Sequence, residues 1–256
     1  MSRNIIVKIG YIGTAYEGFQ KQKHTKNTIQ SVVEEALSGV FQENVKVIGA
    51  SRTDRGVHAL AQMIQFKELK PIEQDKYVYI LNNALPKDIR AYKSYAINEN
   101  EDFHVQYSSV KKRYKYLIDN NRVPILTQIP FALHYPYKLN IDRMKAGIKL
   151  IRGEHDFSAY ASRYSEVENC IRNIFIAELE KKTNGIIEIC IEGDGFLHNM
   201  VRIIVGTLLD IGRNTYEPEI FNNAFLSKDR KDLGKTAKAK GLILENVYYR
   251  EEFLND

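Results

Sequence analysis

The 256-residue sequence has no tryptophan and two cysteines, and each shortage excludes something. Cys170 and Cys190 cannot build a disulfide framework, and neither has a second thiol at C-x-x-C distance. A reducing, cytoplasmic setting is the default. The six histidines, at 24, 58, 104, 134, 155 and 198, are scattered without H-E-x-x-H spacing or a Cys/His cluster, so no dedicated metal site is expected. No apolar run approaches the roughly 18 residues of a membrane span. The apolar stretch after Met1-Ser2-Arg3-Asn4 is too short for a signal peptide. Low-complexity segments, long linkers and short-period repeats are also missing.

What is present is ordinary for a globular chain: 44% hydrophobic and 27% charged residues, with length for one large domain or two compact ones. The formal charge is +5, and removing the three acids of the C-terminal tail (Glu251, Glu252, Asp256) raises it to +8. Such an excess fits a polyanionic partner, though many proteins carry as much without one. The 16 tyrosines and 11 phenylalanines can fill a core or stack on bases, and composition does not separate the two.

Periodicity predicts a strand over 4–12 and an amphipathic helix from Thr28 to Phe41, with Ile29, Val32, Val33, Ala36, Leu37 and Val40 on one face and Asn27 with Gln30 as the cap pair. Strands near 45–49 and 60–67, a helix near 75–84 and a strand near 89–97 follow. The second half repeats the pattern. Strands are expected at 113–119, 173–181 and 185–192, and a helix at 141–151. A strongly apolar helix runs from Phe196 to Ile211 with Gly212 as its C′ residue. A short helix near 217–225 and a strand near 242–249 close the chain. Without strict βαβ alternation, the expected class is α+β. The seam falls between Ser94 and Lys111, dividing the chain into 1–106 and 107–256.

Three segments carry chemistry. Gly49-Ala50-Ser51-Arg52-Thr53-Asp54-Arg55-Gly56-Val57-His58-Ala59 places Asp54 between two arginines in a Gly-bounded loop. Guanidinium neighbours favour the ionised carboxylate that a nucleophile or base requires, and they match phosphate oxygens. By physics alone the same residues read first as a hairpin turn with a solvated charge cluster, since a carboxylate between arginines is common on surfaces. Lys111-Lys112-Arg113-Tyr114-Lys115-Tyr116, as a strand, sets Arg113 and Lys115 on one face and Tyr114 and Tyr116 on the other. That arrangement suits phosphates and bases, or an edge strand guarded by lysines. Finally, Arg202 sits inside the apolar Phe196–Leu209 stretch, where a cation calls for a carboxylate such as Asp54 or the purely structural Asp194.

In order along the chain these segments resemble the tRNA pseudouridine synthase A family. Tyr11–Gln22 fits Y-x-G-T-x-Y-x-G-[WF]-Q-x-Q, and Gly49–Ala59 resembles G-A-G-R-T-D-A-G-V-H-A. Asn82–Ile89 resembles N-x-x-L-P-x-D-I, and Phe103–Tyr107 resembles F-H-A-R-[FY]. Arg113–Tyr116 fits R-Y-x-Y, Gly153–Phe157 fits G-E-H-D-F, Phe196–Leu208 fits F-x-x-x-M-V-R-x-I-V-G-[ST]-L, and Thr236–Leu242 fits T-A-x-A-x-G-L.

The resemblance implies a pseudouridine synthase fold of two similar α/β halves, with mostly antiparallel sheets meeting at a central RNA-binding cleft. It implies an isomerase that works without cofactor or metal on the tRNA anticodon stem-loop, at the uridines just 3′ of the anticodon, as a homodimer. Asp54 takes the place of the catalytic nucleophile and Arg52 that of the arginine that helps extrude the base. Tyr114 takes the place of the stacking tyrosine, and Arg202 that of the ion-pair partner of Asp54. Arg55, Lys112, Arg113 and His58 complete the expected substrate-binding set. Ser51 and Arg55 depart from the family's usual Gly and Ala, and Phe19 from its commoner Trp. The alternatives are a paralogue acting on another RNA or position, and a catalytically silent RNA-binding protein; an altered Asp54 or Arg202 would favour the latter, and neither is altered.

Overall fold

The computed structural model describes residues 3–99, 101–162 and 169–254, which leaves the ends of the chain, Met1-Ser2 and Asn255-Asp256, outside the described residues. The fold is α+β, in two compact units: Met1–Val110 with Leu244–Asp256, and Lys111–Ile243.

The first unit contains β1 (Arg3–Tyr11), α1 (Ile29–Phe41), β2 (Ile48–Gly49), β3 (His58–Lys67), α2 (Lys76–Ala84) and β4 (Ile89–Asn98). Its strands run in the order β4-β1-β3, all antiparallel, with β2 also paired to β3. In β1, Ile5, Ile6, Val7 and Ile9 are all fully buried, so this strand is covered on both faces and forms the unit's spine. Phe41 of α1, Tyr77 of α2 and Phe66 of β3 meet ring to ring, the centroids 6.3 and 5.7 Å apart. Phe103 packs against Tyr249 and Phe253, which ties the end of the chain to this unit.

The helix at 28–41 forms, but its details differ from the sequence reading. Thr28 is the N-cap, its hydroxyl oxygen accepting from the Ser31 N–H at 3.2 Å, while the Asn27 amide turns away to the Ala15 carbonyl. Val40 is exposed and Phe41 takes its place in the core, because the larger ring reaches Tyr77. Glu34 lies buried within the apolar stripe, since its carboxylate accepts from the Val47 N–H and pairs with Lys21.

The second unit contains β5 (Lys111–Asp119), β6 (Leu133–His134), α3 (Ile141–Lys149), β7 (Gly153–Asp156), β8 (Ile171–Lys181), β9 (Ile186–Gly193), α4 (Met200–Gly212) and α5 (Ile220–Ser227). The chain then enters β10 (Leu242–Tyr248). Strands β5, β9, β8 and β7 pair antiparallel in that order, and β6 joins β5 in parallel. Helix α4 is buried along nearly its whole length, as its composition demands. It starts at Met200 rather than Phe196, because Asn199 adopts a left-handed conformation (φ 65°) that interrupts the helical path. Gly212 closes the helix from inside rather than capping it. A Cβ there would stand 2.7 Å from Met144 Sδ, so the glycine permits the close approach of α3, and Asn214 supplies the left-handed turn.

Replacing Thr28 by Ala removes the α1 cap. It is expected to cost about 1 kcal/mol and to lower the Tm by about 2–4 °C in a thermal melt.

Candidate active site

Antiparallel pairing of β1 with β3 brings Tyr11, at the end of β1, opposite Ala59, near the start of β3. The loop leaving β1 and the loop entering β3 therefore emerge side by side. The Phe19 N–H donates to the Thr53 carbonyl at 3.0 Å, and the Tyr11 and Thr53 hydroxyls lie 2.7 Å apart. Gly13 packs directly on the backbone of Val57, leaving no room for a side chain, and its N–H donates to His58 Nδ1 at 3.2 Å. That bond fixes the buried His58 ring as an acceptor at Nδ1. The same end of the sheet is closed by the start of β4, where the Tyr16 hydroxyl donates to Asp88 at 2.8 Å and the Ile12 N–H to the Asp88 carbonyl at 2.9 Å.

Asp54 opens a tight turn in this frame: the Val57 N–H donates to its carbonyl at 3.1 Å, and Gly56 supplies the positive φ of 78° that the turn requires. Its side chain is half-buried, and the flanking Arg52 and Arg55 are exposed. Arg55 Nη1 lies 3.3 Å from Glu17 Oε2, linking the two loops at the surface. Thus Arg52, Asp54, Arg55 and His58 share one loop and its strand end, two of them pointing outward and one anchored in the core.

The second unit carries the remaining expected residues. Along β5, Tyr114 and Tyr116 are buried on one face, while Lys111, Arg113 and Lys115 lie on the other, as the alternation predicts. The Tyr114 ring meets Phe196 edge to face at 5.0 Å, and the Tyr116 hydroxyl donates to the Lys238 carbonyl at 2.7 Å. Arg202 reaches this region from α4. Its Nε donates to the Ala237 carbonyl at 2.8 Å and one terminal nitrogen to Asn199 Oδ1 at 2.6 Å. Burial raises the pKa of the Tyr116 hydroxyl, and the Arg202 charge opposes that rise, which places the guanidinium near the tyrosine face. Burial, and then repulsion from Arg172, push the Lys112 ammonium down to about 8.

On the opposite face of β5, Arg113 stands directly across from Glu192 of β9 and bonds it at 2.7 Å, with Lys111 on the other carboxylate oxygen at 2.9 Å. Glu192 is 1% exposed. Burial alone would raise its pKa, but the two cations hold it below the ordinary carboxylate range. The charge of Arg113 is therefore compensated within the chain. Among the described residues no group of three or more His, Cys, Asp or Glu is placed to hold a metal ion, and no helix is long and apolar enough to cross a membrane.

A family model described as tRNA pseudouridine synthase matches residues 9–108 and 148–250. The chain is 42% identical over 247 residues to tRNA pseudouridine synthase A of Acetivibrio thermocellus, covering 96% of this chain and 100% of that one. The same coverage holds for tRNA pseudouridine synthase A of Caldicellulosiruptor bescii, at 42% identity, and for tRNA pseudouridine synthase A 2 of Clostridium perfringens, at 41%. The family-model match includes the segment around Asp54 and the helix of Arg202, while β5 lies between its two parts. This chain belongs to the tRNA pseudouridine synthase family, and with it to the isomerases.

A test of the electrostatics of the second unit follows from Glu192. Because its pKa is depressed in the folded state, its stabilising contribution is present above the unfolded value near 4.5 and is lost as the pH falls through the native value. Glu192→Gln is expected to cost about 2 kcal/mol at pH 7, less than for a fully buried pair because Lys111 and Arg113 remain partly solvated. In urea unfolding repeated from pH 7 to pH 3, the gap between wild type and variant should narrow once the pH falls below about 4.5.

Proposed function

We propose that this chain converts uridine to pseudouridine in the anticodon stem-loop of tRNA, at the uridines just 3′ of the anticodon, and that Asp54 carries the chemistry. The reaction is an isomerisation: the bond between ribose C1′ and uracil N1 breaks, the uracil turns, and C1′ bonds to C5, whose proton is lost as N1 gains one. No atom is added or removed overall. Asp54 either adds to the sugar or takes its 2′ proton to give a glycal, and both roles need a carboxylate.

The target base must leave the helical stack. Arg52, exposed next to the turn, is suited to occupy the space it vacates, and Tyr114 to stack on the flipped uracil. Arg202 keeps the ion-pair role the resemblance gives it, with Asn199 and Ala237 fixing its guanidinium. Arg55 and Lys112 serve the phosphates, while His58 and Arg113 act through the structure that holds their neighbours. The protein works in the cytoplasm as a homodimer and needs no cofactor or metal.

The observation that carries this reading is the ionisable Asp54 set between two arginines on a turn braced from both sides. Asp54→Ala is expected to lower pseudouridine formation on tRNA by at least ~1000-fold. The Tm should stay within about 2 °C of wild type, because a loop substitution removes little buried surface. Product formed at near wild-type rate by the variant would overturn the assignment.

A re-targeted copy shares all of this chemistry, and Arg55, a second cation beside Asp54 where the family usually carries Ala, is the feature that favours it. Mapping pseudouridines in tRNA from a deletion strain separates the two: loss next to the anticodon supports the first reading, and unchanged modification there supports the second.

A further inference from the structure

Gln62 lies in the middle of β3 with no exposed surface. A buried primary amide is costly unless both its ends find partners. Gln62 finds both on one residue: its Oε1 accepts from the Ser51 N–H at 3.1 Å, and its Nε2 donates to the Ser51 carbonyl at 2.6 Å. Backbone pairing alongside β3 extends to Ala50, whose N–H donates to the Met63 carbonyl at 2.8 Å. One residue later the chain bends away toward Asp54, and a side-chain amide replaces the missing strand. Two bonds in opposite directions fix the Ser51 peptide in both position and tilt, as a ladder pair would.

Asp54 lies three positions after Ser51, and the stretch between them is held again at Thr53, through its carbonyl to Phe19 and its hydroxyl beside Tyr11. We infer that Gln62 is a positioning residue for the pseudouridine-forming reaction, clamping the approach to the catalytic turn so that Asp54 stands at its reacting position before tRNA arrives. The inference rests on the function proposed above. Gln62 itself touches neither base nor sugar; it acts through Ser51. A misplacement of about 1 Å at a reacting group costs on the order of 100-fold in rate.

The test uses the full chain with Gln62→Met, which keeps the volume and removes both bonds, and Gln62→Glu, which keeps the acceptor for the Ser51 N–H. Single-turnover pseudouridine formation with enzyme in excess over tRNA separates the two quantities that matter. The rate constant reports positioning, and the fraction of enzyme able to bind tRNA reports folding. For Gln62→Met the rate constant should fall about 100-fold with the Kd for tRNA within about twofold of wild type, and Gln62→Glu should recover part of the loss. Amide hydrogen exchange at Ser51 should quicken by at least about tenfold in Gln62→Met, in the protein alone.

A rate constant within about threefold of wild type, or unchanged exchange at Ser51, overturns the positioning role. So does failure of both variants to fold, which would make Gln62 a residue of the core and no more. If wild-type protein formed no pseudouridine, the proposed function would fail and the catalytic role of Gln62 with it, whereas faster exchange at Ser51 would still establish the clamp. Activity in wild type with a normal rate in Gln62→Met removes the positioning role alone.

Discussion

The antiparallel pairing of β1 with β3 is the constraint on which the first unit depends. An antiparallel pair puts the end of one strand beside the start of the other, so Tyr11 and Ala59 meet and the loops beyond them must run together. The start of β4 arrives at the same place, opposite Gly10 and Tyr11. Three segments separated widely in sequence, 11–22, 49–59 and 82–89, are brought there by the register and then bonded to one another. Ile5, Val7 and Ile9 are buried on one face while Lys8 on the other is only half-buried, so a shift by one residue would carry Lys8 into the core. The turn at Asp54 thus inherits its position from a strand whose apolar side chains are buried on both faces.

The second unit solves a related problem with charge. A strand carrying Lys111, Lys112, Arg113 and Lys115 repels itself, and β9 offsets this with Glu192 directly across from Arg113 and Glu188 diagonal to Lys115. Burying Glu192 costs solvation, which the two cations on its oxygens offset. With the cations of one face paired in this way, the other face buries Tyr114 and Tyr116 and sets the Tyr114 ring edge-on to Phe196. At Lys112, burial and the charge of Arg172 both weaken the hold on a proton.

Much of this was legible in the sequence because periodicity and motif speak locally. Alternation placed β1, β3, β5, β8 and β9, the 3.6-residue period placed α1, and the run around Asp54 stood out by composition alone. What escaped depends on pairing between distant residues. Nothing near Arg113 announces Glu192, 79 positions away, as its partner. The start of α4 was misplaced because its apolar pattern continues back to Phe196, while the left-handed turn at Asn199 is a tertiary choice that also aims an amide at Arg202. Gln62 and Gln65 left a trace, as polar residues inside a strand otherwise built for a core. The trace names no partner: one bonds Ser51 and the other the Val105 N–H.

The two departures inside the loop at 49–59 can be understood from the same geometry. A glycine is obligatory where φ is positive or where a neighbour leaves no room for a Cβ. Ser51 meets neither condition. The left-handed region holds, among the described non-glycine residues, Gln42, Asn199, Asn214 and Lys228, and the loop's own positive φ falls on Gly56. The contacts that fix Ser51 to Gln62 use its peptide N–H and carbonyl, which any residue but proline supplies in full. Arg55 occupies the exposed corner of the turn, its side chain 76% exposed and leaning toward Glu17, so its bulk meets no wall. The backbone that presents Asp54 is thus indifferent to both substitutions. They alter the surface around the carboxylate, in sign of charge above all, and that surface is where an RNA phosphate would register the difference.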